Sequence, residues 1–142
     1  MTATETDEFL AEVLPAQRAA EQAIHNGDVE PRLALWSQKD PITVYGAKLS
    51  GSGWTDLEPL FREVASWFSD SKAYEFEVVA AGASGDLAYT VGYERNKVQV
   101  EGSPRVYTLR VTHVYRREEG RWRIVHRHDD YPPSADTEAL PR

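Results

Sequence analysis

Residues 73–129 read as four extended segments, 73–83, 87–100, 105–117 and 121–129, rich in Val, Tyr, Thr and Ile and separated by short links carrying Gly85, Gly102 and Gly120. A parallel crossover needs a dozen or more residues, and these links are far shorter, so the segments must pair as an antiparallel meander. Helical bundles and doubly wound parallel sheets are thereby excluded for this half of the chain.

The first half has a different period. From residue 6 to 26, Phe9, Leu10, Val13, Leu14, Ala20, Ala23 and Ile24 recur at helical spacing, with a kink or break expected near Val13–Pro15 because proline removes a donor and clashes one turn back. Asn26-Gly27-Asp28 reads as a stop and a new cap before a short helix carrying Leu33, Leu35 and Trp36, with Pro31 in its first turn. Residues 41–47 are β-rich, and Gly51-Ser52-Gly53 reads as a turn. Thr55 with Glu58 reads as a capping box opening a helix through Leu60, Phe61, Val64, Ala65, Trp67 and Phe68. Helices followed by a long meander give an α+β fold in which the helices cover one face of one sheet.

At 142 residues the chain suits one core, and no repeat or boundary divides it, so one domain is expected over 1–142, with its core at 8–131 and a loose tail at 132–142. The net charge of −7 repels phosphate, and the arginines alternate with acids and aromatics, so no nucleic-acid partner is expected. Without cysteine there is no disulfide, thiolate metal site or cysteine nucleophile. No apolar run approaches bilayer length and the start lacks a basic-then-apolar leader, so a cytoplasmic protein without membrane partners is expected. No serine sits in a nucleophile elbow and no glycine loop can cradle phosphate, so no cofactor is expected.

The run Leu109 to Arg117, followed by Gly120, Trp122, Ile124, His126 and His128, resembles the last hairpin of nuclear transport factor 2-like and SnoaL-like proteins. It is also similar to the association domain of calcium/calmodulin-dependent protein kinase II. Asn26-Gly27-Asp28, Asp40 to Val44 and Gly53-Trp54 agree in order. The resemblance implies a cone-shaped, curved, mixed sheet wrapped by N-terminal helices around a pocket, on a fold that hosts isomerases, cyclases, epoxide hydrolases and assembly hubs.

Alternation splits the third long strand into Arg110, Thr112, Val114 and Arg116 against Leu109, Val111, His113 and Tyr115, and composition does not say which set faces inward. The resemblance suggests inward registers for Arg110 and Thr112, for Val125, Arg127 and Asp129, and for Tyr89, Val91 and Tyr93. The expected pocket then combines Tyr45, Tyr89, Val91, Tyr93, Arg110, Thr112, Arg127 and Asp129 with apolar cover from Trp54, Phe61 and Phe68. Its ligand would be a partly apolar, aromatic or alicyclic molecule bearing a carboxylate for Arg110. Alternatively, the arginines pair with Glu94, Asp129 or Asp130 across strands and carry no ligand.

His126-Arg127-His128-Asp129-Asp130 has metal-like spacing and would need His113 or Asp130 as a third ligand. The resemblance instead places the two histidines on the outer face, and no metal is expected. His25 reads as a cation at a helix C-terminus. The ketosteroid isomerase pattern fails at the matching positions, where Gly46, Thr112 and Ala20 replace the base, the oxyanion Asp and the Tyr. An epoxide hydrolase lacks its second carboxylate because of Thr112. A SnoaL-like cyclase or isomerase using Asp129, His126 or His128 as acid/base remains the enzymatic alternative. The other is an assembly module, with a homodimer expected through an outer face of Val111, Tyr115, Trp122 and Ile124.

Overall fold

The computed structural model describes residues 3–133. The order is α1 (Glu5–Ile24), α2 (Glu30–Leu35), β1 (Thr43–Tyr45), β2 (Ser50–Ser52), α3 (Trp54–Trp67), β3 (Phe68–Ser84), β4 (Leu87–Val100), β5 (Ser103–Glu118) and β6 (Arg121–Asp130). From residue 134 onward the expected tail lies outside the described residues.

One six-stranded sheet runs β2-β1-β6-β5-β4-β3. The meander β3 to β6 is antiparallel throughout, as the short links require. Glu101-Gly102 and Glu119-Gly120 have positive φ at both turn positions, the mirror-image geometry that matches strand twist. β1 joins β6 in parallel, which makes the sheet mixed. The Gly51-Ser52 turn of the sequence reading is instead the edge strand β2. β3 is bulged between Val78 and Ala80, opposite Gly92. A Cβ at Gly92 would lie 2.0 Å from the Glu77 carbonyl oxygen, so glycine is needed where the two strands close up and the sheet curves.

The expected break at Pro15 does not occur. α1 is continuous through it, opened by a capping box between Thr4 and Asp7. Pro15 lies on the exposed side, where the lost hydrogen bond is the helix's alone to bear. α3 has Gly53 rather than Thr55 at its N-cap and no side-chain cap.

α1 lies across the sheet, and Phe9 meets Tyr115 and Trp122 edge-on at 5.0 and 5.1 Å. Trp36 packs on Phe61 under α3, and Ile24, Ile42, Leu57 and Ile124 complete the core. This fills one end of the space between helices and sheet. The other end stays open.

Candidate functional site

A cavity of about 360 Å³ occupies that open end. Its roof is the C-terminal turn of α1 (Ile24, His25) and the inner side of α3 (Leu60, Val64, Trp67). The β1–β2 loop closes one side with Gly46 to Leu49, and the sheet contributes Tyr107, Leu109, Arg127 and Asp129. Phe68, at the α3–β3 junction, also lines it and stacks on Tyr107 with centroids 6.3 Å apart.

The inner end is built from buried ions. Arg127 on β6 donates from Nε to Asp129 Oδ2 at 2.6 Å, from Nη2 to Glu94 Oε1 at 2.8 Å, and from Nη1 to Glu94 Oε2 at 3.2 Å and Glu21 Oε1 at 3.3 Å. Arg32 on α2 donates to both oxygens of Glu21 at 2.6 Å. Tyr74 donates to Glu94 Oε2 at 2.7 Å. Asp129 Oδ1 accepts the Ala47 amide at 2.8 Å. Burial alone would raise the Glu94 carboxyl, but the Arg127 guanidinium outweighs it and holds it at about 2. Burial opposes the charge of Arg127 too, and Glu94, Asp129 and Glu21 more than restore it.

Two buried histidines flank the network as neutral rings. His113 Nε2 lies 3.2 Å from Arg127 Nη1, and because arginine can only donate, that nitrogen is the acceptor. Burial, then the neighbouring Arg127 charge, push the His113 pKa well below its ordinary value. His25 caps α1, with Nδ1 donating to the Glu21 carbonyl at 2.6 Å and Nε2 2.6 Å from the Tyr107 hydroxyl. Burial lowers its pKa as well, so His25 is not the helix-end cation of the sequence reading. In the neutral ring Nε2 is the acceptor and Tyr107 donates to it. Burial also raises the Tyr107 phenol, which stays protonated.

Of the residues expected to form the site, Phe68, Arg127 and Asp129 line the cavity. Phe61, on α3, is buried in the core, and Trp54, at the start of α3, packs partly buried against it. The inward register suggested for β4 and β5 is inverted. Ala88, Thr90, Glu94 and Asn96 point inward on β4, and Leu109, Val111, His113 and Tyr115 on β5. Tyr89, Val91, Tyr93, Arg110 and Thr112 therefore share the outer face, with Val91 opposite Thr112 and Tyr93 opposite Arg110. Arg110 is half-exposed there and grips Asp130 through two hydrogen bonds of 2.8 and 2.6 Å. The pairing alternative thus describes Arg110 with Asp130, and Arg127 with Glu94 and Asp129.

On β6 a bulge opposite Val114 and Tyr115 absorbs Val125. Trp122 and Ile124 face the core before it, Arg127 and Asp129 the cavity after it. Val111, Tyr115, Trp122 and Ile124 are all buried on the core side of the sheet and form no outer face, contrary to expectation.

His126 and His128 lie on the outer face with Tyr45, whose ring meets both edge-on at 5.8 Å. His126 Nδ1 is 2.7 Å from the Thr43 hydroxyl. His113 is on the opposite side of the sheet and Asp130 is held by Arg110, so neither joins the pair as a third ligand. Among the described residues no group of three His, Asp or Glu side chains is placed to hold a metal ion.

The sequence reading missed Glu21, Arg32 and Tyr107 as cavity residues, and took Glu94 only as an ion-pair partner. One signal for Glu21 was present: Val13, Gln17 and Glu21 follow at four-residue steps on the apolar stripe of α1, where an acid needs a buried partner.

The sequence matches the SnoaL-like domain over residues 13–132, most of the chain. The chain belongs to the SnoaL-like family. Solved structures agree on the fold at low identity. A candidate dehydratase of the nuclear transport factor 2-like family from Streptomyces avermitilis is 18% identical, with 90% of this chain and 99% of that one covered and a TM-score of 0.72. A candidate calcium/calmodulin-dependent protein kinase type II association domain from Thiobacillus denitrificans is 20% identical, with 83% and 93% covered and a TM-score of 0.70. A nuclear transport factor 2-like protein with a cystatin-like fold from Novosphingobium aromaticivorans is 18% identical, with 93% and 85% covered and a TM-score of 0.69. Curated protein sequences gave no significant match.

Proposed function

We propose that this SnoaL-like domain binds a small, partly apolar organic molecule in the cavity between α1, α3 and the sheet. The observation that carries the reading is the contrast along the cavity. Leu60, Val64, Trp67, Phe68 and Leu109 make apolar walls, and the inner end is hydrogen-bonding. Sites for small ligands combine such walls with a few fixed polar groups, in volumes of about 300–1,000 Å³. A carboxylate on the ligand would not reach a free cation at the inner end, where Arg32 and Arg127 are held by Glu21, Glu94 and Asp129. It would meet Lys48 and Arg105 at the mouth, both exposed and without an ion-pair partner among the described residues.

The first test is a thermal-shift screen against steroids, polyketide-like aromatics, small carboxylic acids and amines. A ligand bound only by the native state adds about 2.7 kcal/mol of stability at a concentration 100 times its Kd. At least one class should raise the melting temperature, and silence across all of them contradicts the reading.

Acid/base turnover at Asp129 is favoured by one further observation. A Cβ at Gly46, the position matching the isomerase base, would lie 3.8 Å from Asp129 Oδ1. Asp129 on β6 thus brings a carboxylate to the place that the neighbouring strand leaves bare. If it transfers protons, a bound ligand with an acidic C–H exchanges deuterium from D2O on the wild-type protein and not on Asp129→Asn. Absence of exchange into every bound ligand leaves binding alone.

A further inference from the structure

We infer that the inner end of the cavity takes a protonated amine, so that the ligand is an aromatic or alicyclic ammonium compound rather than an oxyanion or a ketone. The inference rests on the binding reading above and specifies the ligand's polar group.

Three observations converge. The first is hydrogen-bond polarity. At the inner end Arg32 Nη2 and the three nitrogens of Arg127 are directed at Glu21, Glu94 and Asp129, while Arg32 Nε is buried without a partner among the described residues, in a guanidinium that lies over the Phe61 ring. The Tyr107 hydroxyl spends its only proton on His25 Nε2, because Nδ1 is committed as donor to the Glu21 carbonyl. What Tyr107 and Asp129 present to a ligand is lone pairs. An incoming oxygen that can only accept finds no proton on either of these two residues, whereas an ammonium brings three donors.

The second is charge. Glu21, Glu94 and Asp129 set three carboxylates against the two guanidiniums of Arg32 and Arg127, so the inner end has one negative charge in excess. The flanking histidines, His25 and His113, are neutral rings and do not offset it. A cation entering a partly dry site of this kind gains from the imbalance.

The third is the wall. Trp67, Phe68 and Tyr107 surround the approach, and aromatic faces attract ammonium groups. Lys48 and Arg105 stand at the mouth, so the charge of the site runs from positive outside to negative inside and orients a ligand amine-first.

The test is calorimetric titration of three probes that share a ring and a reach: phenethylamine, 2-phenylethanol and phenylacetate, at neutral pH. Charge-assisted hydrogen bonds are roughly twice as strong as neutral ones, so phenethylamine should bind about tenfold more tightly than 2-phenylethanol, with phenylacetate weakest. In Asp129→Asn the amine's advantage over the alcohol should vanish. Equal affinity of amine and alcohol, or tighter binding of phenylacetate, overturns the amine inference and leaves the cavity reading standing. No binding by any probe overturns both. The wild-type ranking decides the matter even if Asp129→Asn does not fold.

Discussion

Arg127 and Arg110 carry the same charge on neighbouring strands, yet their side chains are 5% and 45% exposed. That difference fixes what each does. Removing one partner of a buried ion network strands the others, at a cost of about 3–5 kcal/mol. Arg127→Ala should lower stability by that amount in urea denaturation, while Arg110→Ala should leave the midpoint where it was, since its pair with Asp130 is screened by water. The buried groups also set a pH dependence. His25 and His113 have folded pKa values depressed below 6.5, so the unfolded chain binds protons that the native one refuses. Their contribution is present above pH 6.5 and is lost as the pH falls toward their folded values. Glu94, depressed from 4.5 to about 2, adds a second loss as the pH falls through that interval. Urea midpoints should therefore be flat from pH 7 to about 9, decline below 6.5, and steepen below 4.5. A midpoint that rises on acidification contradicts the neutral assignment of the two rings.

The strands were legible because turn chemistry and alternation agreed, and β4 lies at 87–100 as read. Their faces were not. On β4 the outward residues Tyr89, Val91 and Tyr93 are the apolar ones, and the inward set includes Thr90, Glu94 and Asn96. Reading hydrophobicity as burial selects the wrong side wherever ions are buried beneath a sheet whose outer face is aromatic. Arg127 and Asp129 were placed inward on the resemblance alone; in the structure they reach the cavity because the bulge at Val125 shifts the register of β6, and no residue type announces that bulge. Pro15 was misread for a simpler reason: a helix packed along its whole length on a sheet tolerates a local cost that an isolated helix would not. Pro15→Ala should accordingly stabilise the protein by up to about 3 kcal/mol, as exposed proline in a helix interior costs that much relative to alanine. Gly92→Ala should destabilise it by about 1–3 kcal/mol, because the new methyl meets backbone rather than a movable side chain. Both shifts are readable in the same denaturation experiment.

For the whole molecule, the fold followed from element order, and the site did not, because it is assembled from α1, α2, α3, the β1–β2 loop and residues of β1, β3, β4, β5 and β6. The outer sheet face bears on assembly. Tyr45, Tyr89 and Leu87 expose 52, 41 and 59% of their surface. We propose that a second copy of the chain covers this face, in place of the buried residues expected to do so. Light scattering at micromolar concentration should return twice the chain mass, and Tyr89→Glu should return it to one; a wild-type monomer refutes the dimer. No helix among the described residues is long and apolar enough to cross a membrane. The central claim, that the cavity takes a small organic ligand, is tested most directly by filling it. Val64 lines the cavity from α3 and is half-buried, so Val64→Trp occupies the space with little disturbance of the core, and Leu60→Phe serves if that variant does not fold. The decisive measurement is the Kd of the best screening hit, by calorimetry, on the wild-type and filled proteins. The account predicts binding to the wild type and a loss of at least about tenfold on filling; equal affinity for both proteins would place the ligand elsewhere and contradict it.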